Sequence, residues 1–121
     1  MIGTNNGDAP EESAAQIRAC LREILKRQPE AKIVLCAILP RGEPDSVERG
    51  RNDDLNALLE PLCDGKTIIW KDYSEFFALA DGRVNPQLTD DKLHPNAAGY
   101  AAWRDLCVPF WEEILKSMPK Q

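Results

Sequence analysis

Apolar positions along the chain keep two rhythms, one helical and one of short continuous runs. Ile17, Leu21, Ile24 and Leu25 recur at helical spacing with Arg and Lys between them. Asp8-Ala9-Pro10-Glu11 predicts the start of that helix, with an acidic cap, Pro in the first turn and Glu three residues after the cap. Gln28-Pro29 predicts its end, because Pro cannot continue a helix and disfavours the α conformation before it. Lys32 to Leu39 is a nearly unbroken apolar run, the pattern of a strand covered on both faces. Pro40 to Asp45 is a loop by its Pro and Gly content. A second helix is expected from about Val47 to Leu62, with Leu55, Leu58, Leu59 and Leu62 on one side, and Asp45-Ser46 in front of it predicts an N-cap. Gly65 then opens a short strand, Thr67 to Trp70.

Between Lys71 and Thr89 the pattern is weaker. Tyr73, Phe76, Phe77 and Leu79 predict a helical turn on the core, followed by a turn at Asp81-Gly82. The last helix is expected from near Pro95 and carries Tyr100, Trp103, Leu106, Trp111, Ile114 and Leu115. Pro109 falls inside it, so a kink or break is expected near Cys107-Val108. Strands separated by helices of this length predict an α/β fold with a parallel sheet. Such sheets place ligand sites outside the carboxyl ends of their strands.

Composition narrows the partners. The net charge of −5 argues against nucleic acid or an anionic membrane, which both demand a basic surface, and no apolar run is long enough for a membrane span. Cys20, Cys36, Cys63 and Cys107 are scattered without a C-x-x-C pair. Three of them fall in apolar periodic stretches, so buried thiols in a reducing, cytoplasmic setting are expected, with Cys36 in the core. One His and no clustered Cys give a metal site little to stand on, and no cofactor is expected. Arg41, Arg49 and Arg51 could meet an acidic substrate near the loop after the first apolar run. A solvated helix face is the ordinary account of them.

The chemistry concentrates in Asp90-Asp91-Lys92-Leu93-His94-Pro95, which holds the only histidine of the chain. Histidine can take and return a proton near neutral pH. A carboxylate accepting from one ring nitrogen fixes the tautomer and leaves the other nitrogen as a base. In a turning segment the D-x-x-H spacing can bring Asp91 and His94 together, and Asp90 competes for the same role. The ordinary alternative is a surface His before a Pro that opens a helix. At the other end stands Gly3-Thr4-Asn5, where Asn5 could equally be a turn residue. Read as the end of a strand, that block puts Asn5 on the same edge of the sheet as Asp91 and His94.

With the D-x-x-H-P segment, Gly3-Thr4-Asn5 resembles blocks of the SGNH (GDSL-type) hydrolases, especially the branch similar to platelet-activating-factor acetylhydrolases and lysophospholipase-like esterases. Gln28 to Leu35 and Leu39-Pro40-Arg41-Gly42 also fit, so the resemblance runs over essentially the whole chain. It implies that His94 is the general base, that Asp91 orients it, and that Asn5 donates to the oxyanion. It further implies a partial flavodoxin-like three-layer αβα fold with a parallel sheet whose first strands are missing. Residues 1–121 would then form the C-terminal part of one domain. The family's nucleophilic Ser stands in a G-D-S block, which this sequence lacks, as it lacks the second block with its oxyanion Gly.

Three functions follow from the resemblance. The chain is an esterase part that cleaves acetyl or short acyl esters of lipids or carbohydrates. Alternatively it is an inactive binding or assembly module, or one half of a split enzyme complemented in trans. The partners implied are a small-molecule ester together with either a homo-oligomer mate or a missing N-terminal half. Apolar surface left bare by absent strands is expected to drive self-association or marginal folding.

Overall fold

A computed structural model describes residues 2–5, 7 and 9–118. Helix α1 (Pro10–Arg27) begins with Pro10 at its first position and Ala9 as N-cap, without a side-chain cap; Asp8, the expected cap, lies outside the described residues. It ends at Gln28, as Pro29 requires. Strand β1 (Ile33–Cys36) follows, then α2 (Val47–Leu59) with a 3₁₀ turn (Glu60–Leu62), β2 (Ile68–Lys71), a one-turn α3 (Ser74–Phe77) and α4 (Ala97–Ser117). Ser46 caps α2 by accepting from the Arg49 N–H at 3.3 Å.

The two strands pair in parallel, with Leu35 beside Trp70 and Cys36 beside Lys71. Registered neighbours share a face, and successive residues alternate. Leu35 and Trp70 therefore turn one way, onto the cluster of Ala14, Ile38, Leu55 and Leu59 under α1 and α2. Lys71 turns the other way, its ammonium 4.8 Å from the Phe110 ring of α4. A second cluster of Leu39, Tyr73 and Phe77 packs there against Trp103 and Cys107. Helices thus cover both faces of a small parallel sheet, an α/β arrangement in three layers.

Several expectations need correction. The run from Lys32 to Leu39 is not all strand, since only Ile33–Cys36 pairs; Ala37, Ile38 and Leu39 continue past the ladder as buried loop. Cys20 and Cys36 are exposed, and Cys63 and Cys107 are half-buried. For Cys20 and Cys36 the reason lies in the sheet: among the described residues β1 has a partner on one side only, so its end and the facing side of α1 border an open apolar cavity of about 460 Å³. Ile17, Cys20, Leu35, Cys36, Ile38 and Trp103 are among its walls. Even so, partial burial pushes the Cys36 thiol pKa up. Residues 2–5 form a bend and a turn, and no strand precedes Asn5 among the described residues. Helix α4 starts after Pro95 and runs through Pro109 as one continuous helix rather than breaking near Cys107. Arg49 is not on a solvated face but buried, whereas Arg51 is exposed as expected. No helix among the described residues is long and apolar enough to cross a membrane.

Candidate active site

The segment from Thr89 to Asn96 is folded by its own short-range bonds. Thr89 and Pro95 form an isolated antiparallel bridge, and the Asn96 N–H donates to the Leu88 carbonyl at 2.8 Å. Asn96 also caps α4, accepting from the Gly99 N–H at 3.0 Å. Gly99 is a steric requirement, because a Cβ there would lie 2.2 Å from the Leu88 carbonyl oxygen. Within this frame Asp91 Oδ1 accepts from the Leu93 and His94 N–H groups at 2.9 and 2.7 Å. Its other oxygen, Oδ2, lies 2.7 Å from His94 Nδ1.

The His94 ring and these two backbone donors hold the Asp91 carboxyl down to about 2. An ionised carboxylate only accepts, so Nδ1 carries the proton and the neutral ring keeps its lone pair on Nε2. The competition between the two carboxylates is decided by geometry. Asp90 accepts from Asn96 Nδ2 at 2.8 Å and serves the cap, while Asp91 meets the histidine. Both members of the Asp91–His94 pair are more than half exposed.

Gly3-Thr4-Asn5 is held quite differently. Gly3 has φ +101°, and a Cβ there would stand 2.7 Å from Leu55 Cδ2 and 2.9 Å from Ile38 Cδ1. The turn is therefore pressed onto the core at a place where only glycine fits without displacement. Thr4 Oγ1 accepts from Asn52 Nδ2 at 3.1 Å, and Asn52 also donates to the Leu39 carbonyl at 3.3 Å. Asn5 Oδ1 accepts from Arg41 Nη1 at 2.9 Å.

The loop after β1 joins the two ends. Arg41 reaches Asn5 with its side chain, and the next residue, Gly42, donates its N–H to the Lys92 carbonyl at 2.9 Å. Glu43 and Lys92 form an ion pair, which lowers the pKa of Glu43. Lys92 itself has φ +58°, a left-handed conformation uncommon for a side chain of this size. Asn5 and the Asp91–His94 turn are thus both tied to the loop at the carboxyl end of β1.

A model of the GDSL-like lipase/acylhydrolase family matches residues 1–102. The chain belongs to that family. Among its relatives, the platelet-activating factor acetylhydrolase IB subunit alpha2 of Rattus norvegicus is 35% identical over 117 residues, covering 95% of this chain and 50% of the relative. Subunit alpha1 of the same name from Pongo abelii is 31% identical and covers 83% of this chain and 44% of the relative. The crystal structure of a GDSL-like lipase from Bacteroides thetaiotaomicron superposes with a TM-score of 0.73 at 22% identity, over 91% of this chain and 56% of that one. The chain spans about half the length of the relatives it matches.

The loops of this GDSL-family chain are held by Arg49, expected on a solvated face, and by Asn52 and Asn56, for which the sequence raised no expectation. Arg49 donates Nε to the Arg41 carbonyl at 3.0 Å and Nη1 to the Gly82 carbonyl at 3.1 Å. Asn56 pairs with both the N–H and the C=O of Ile38, at 2.8 and 3.0 Å. The signal was present: Arg49, Asn52 and Asn56 fall at spacings of three and four beside Leu55 and Leu59, a polar stripe bordering the apolar one. Only the buried carbonyls it serves could distinguish it from a solvated face.

Proposed function

We propose that this chain supplies the acid–base pair and one oxyanion donor of a serine-type esterase acting on acetyl or short acyl esters of lipids or carbohydrates. The carrying observation is the 2.7 Å contact of Asp91 Oδ2 with His94 Nδ1, which leaves Nε2 as the base. In this reading Nε2 takes the proton of a serine hydroxyl as its oxygen bonds to the ester carbonyl carbon. Asn5 Nδ2 donates to the oxyanion that forms. The imidazolium returns the proton to the departing alcohol, and water attacks the acyl-serine by the same route in the second half. Asp91 orients the ring and stabilises its charge.

The serine comes from outside this sequence. Ser13 is buried, Ser46 caps α2, Ser74 opens α3 with its N–H on the Asp72 carboxylate, and Ser117 donates to the Ile114 carbonyl. No serine among the described residues is hydrogen-bonded to His94. The open cavity beside β1 favours a second polypeptide segment at this place, hence the split or incomplete enzyme over an active single chain. The same open edge is what a binding or assembly module would use.

The test measures hydrolysis of a chromogenic acetyl ester by this chain alone and with a polypeptide bearing the family's G-D-S block. Turnover is expected only in the mixture, and His94→Ala is expected to abolish it. Turnover by this chain alone, sensitive to His94→Ala, overturns the external serine. A mixture that associates without any turnover leaves the assembly module.

A further inference from the structure

We propose that Arg41 is a positioning residue that sets which way the Asn5 carboxamide faces. The inference rests on Asn5 being the oxyanion donor. An asparagine side chain can turn over by 180°, and its two ends have opposite effects on an anion: the amide nitrogen donates, while the carbonyl oxygen repels. An unrestrained Asn5 would present both. Guanidinium nitrogens only donate, so the atom 2.9 Å from Arg41 Nη1 must be the oxygen. Nδ2 is thereby left on the side away from Arg41. The same Nη1 contacts the Thr4 carbonyl at 2.6 Å and Thr4 Oγ1 at 3.2 Å, which fixes the backbone bearing Asn5 together with its side chain.

A guanidinium can serve as a reference only if the backbone that carries it is held. Arg49 does this from beneath, since its buried side chain donates to the Arg41 carbonyl and to Gly82 across the loop. Arg49 in turn is locked on α2, one turn from Asn52, which fixes Thr4 and Leu39. The Gly42 N–H bond to Lys92 carries the same reference to the turn of Asp91 and His94. One loop therefore sets the distance between donor and base, a quantity to which transition-state stabilisation is steeply sensitive.

The test needs no turnover to begin with. In ¹⁵N-labelled chain, the side-chain amide of Asn5 is expected to show the restricted picosecond-to-nanosecond motion of a fixed group. Arg41→Met should release it to the motion of a free side chain, while the side-chain signals of Asn52 and Asn56 stay in place and report an intact fold. Should Arg41→Met fail to fold, Arg41→Gln provides the second variant, because a carboxamide at 41 can face Asn5 with either end and loses the selection. An Asn5 amide equally restricted in the variant overturns the proposal.

In the complemented enzyme, Arg41→Met is expected to lower kcat about 10- to 100-fold with KM little changed. Arg41→Lys, whose ammonium also only donates, should recover part of the loss. On an Asn5→Ala background the Arg41 variant should cost nothing further. Turnover unaffected by Asn5→Ala would instead overturn the oxyanion role of Asn5, and with it this inference. An additive loss on that background would overturn the positioning role alone.

Discussion

The two turns that carry the candidate site are built on opposite principles. The turn of Asp91 and His94 is shaped mainly from within, since Asp91 bonds residues two and three positions on, and Thr89, Pro95 and Asn96 close the loop locally, while Lys92 ties it to Gly42 and Glu43. The turn of Thr4 and Asn5 has its side-chain partners 36 to 48 residues away, in Arg41 and Asn52. One is bonded mainly to its own neighbours; the other leans on the core through Gly3 and Thr4. In the proposed roles, the base is oriented by a neighbour in its own turn, whereas the oxyanion donor is placed by residues distant in the chain.

Gly99→Ala should disturb the first turn most. The added Cβ meets the Leu88 carbonyl, a backbone atom that cannot move aside, so a loss of about 3 kcal/mol is expected in denaturant unfolding. An unchanged midpoint would mean that α4 and the loop slide freely. Asn52→Ala attacks the second turn by removing the donor to Thr4 Oγ1 and the Leu39 carbonyl, and should cost about 2 kcal/mol. Amide exchange should quicken around Thr4 and not around Asp91; equal effects on both would mean that the two turns share one support.

Gly3→Ala should cost about 1–2 kcal/mol. The clash is with the ends of two flexible side chains, and the positive φ supplies the remainder.

The smallest effect concerns pH. Asp91 is held down to about 2, so its ionised form is favoured by folding. Its contribution to stability is complete above the unfolded pKa of ~3.9 and is lost as pH falls through the folded value. A carboxyl carbon titration followed by NMR should place the Asp91 midpoint near 2. His94→Ala should raise it, because the ring is the largest single cause. A midpoint indifferent to His94 would show that the backbone donors alone hold the carboxylate.

What could be read in the sequence divides along the same line. The Asp91–His94 pair was legible because a spacing of three in a turning segment decides it, and α1, α2 and the Ser46 cap were legible because period and cap residues lie close together in the chain. The parallel pairing of β1 and β2 followed from the helices between them. Cys36 was misread because an apolar run in a sequence does not say whether a neighbouring strand covers it. Arg49 was misread because an arginine among polar residues looks solvated until the carbonyls of Arg41 and Gly82 close over it. The partnership of Arg41 with Asn5 had no local signal at all, because it exists only after β1 has carried Arg41 to the turn.

The indole of Trp103 lines the cavity beside β1, and its Nε1, shielded from solvent, meets no acceptor among the described residues. Its fluorescence is therefore a built-in gauge of how wet that cavity is. Any polypeptide or apolar dye that fills the space should shift the emission to the blue. Trp70→Phe and Trp111→Phe together would isolate this signal and turn assembly into an optical titration.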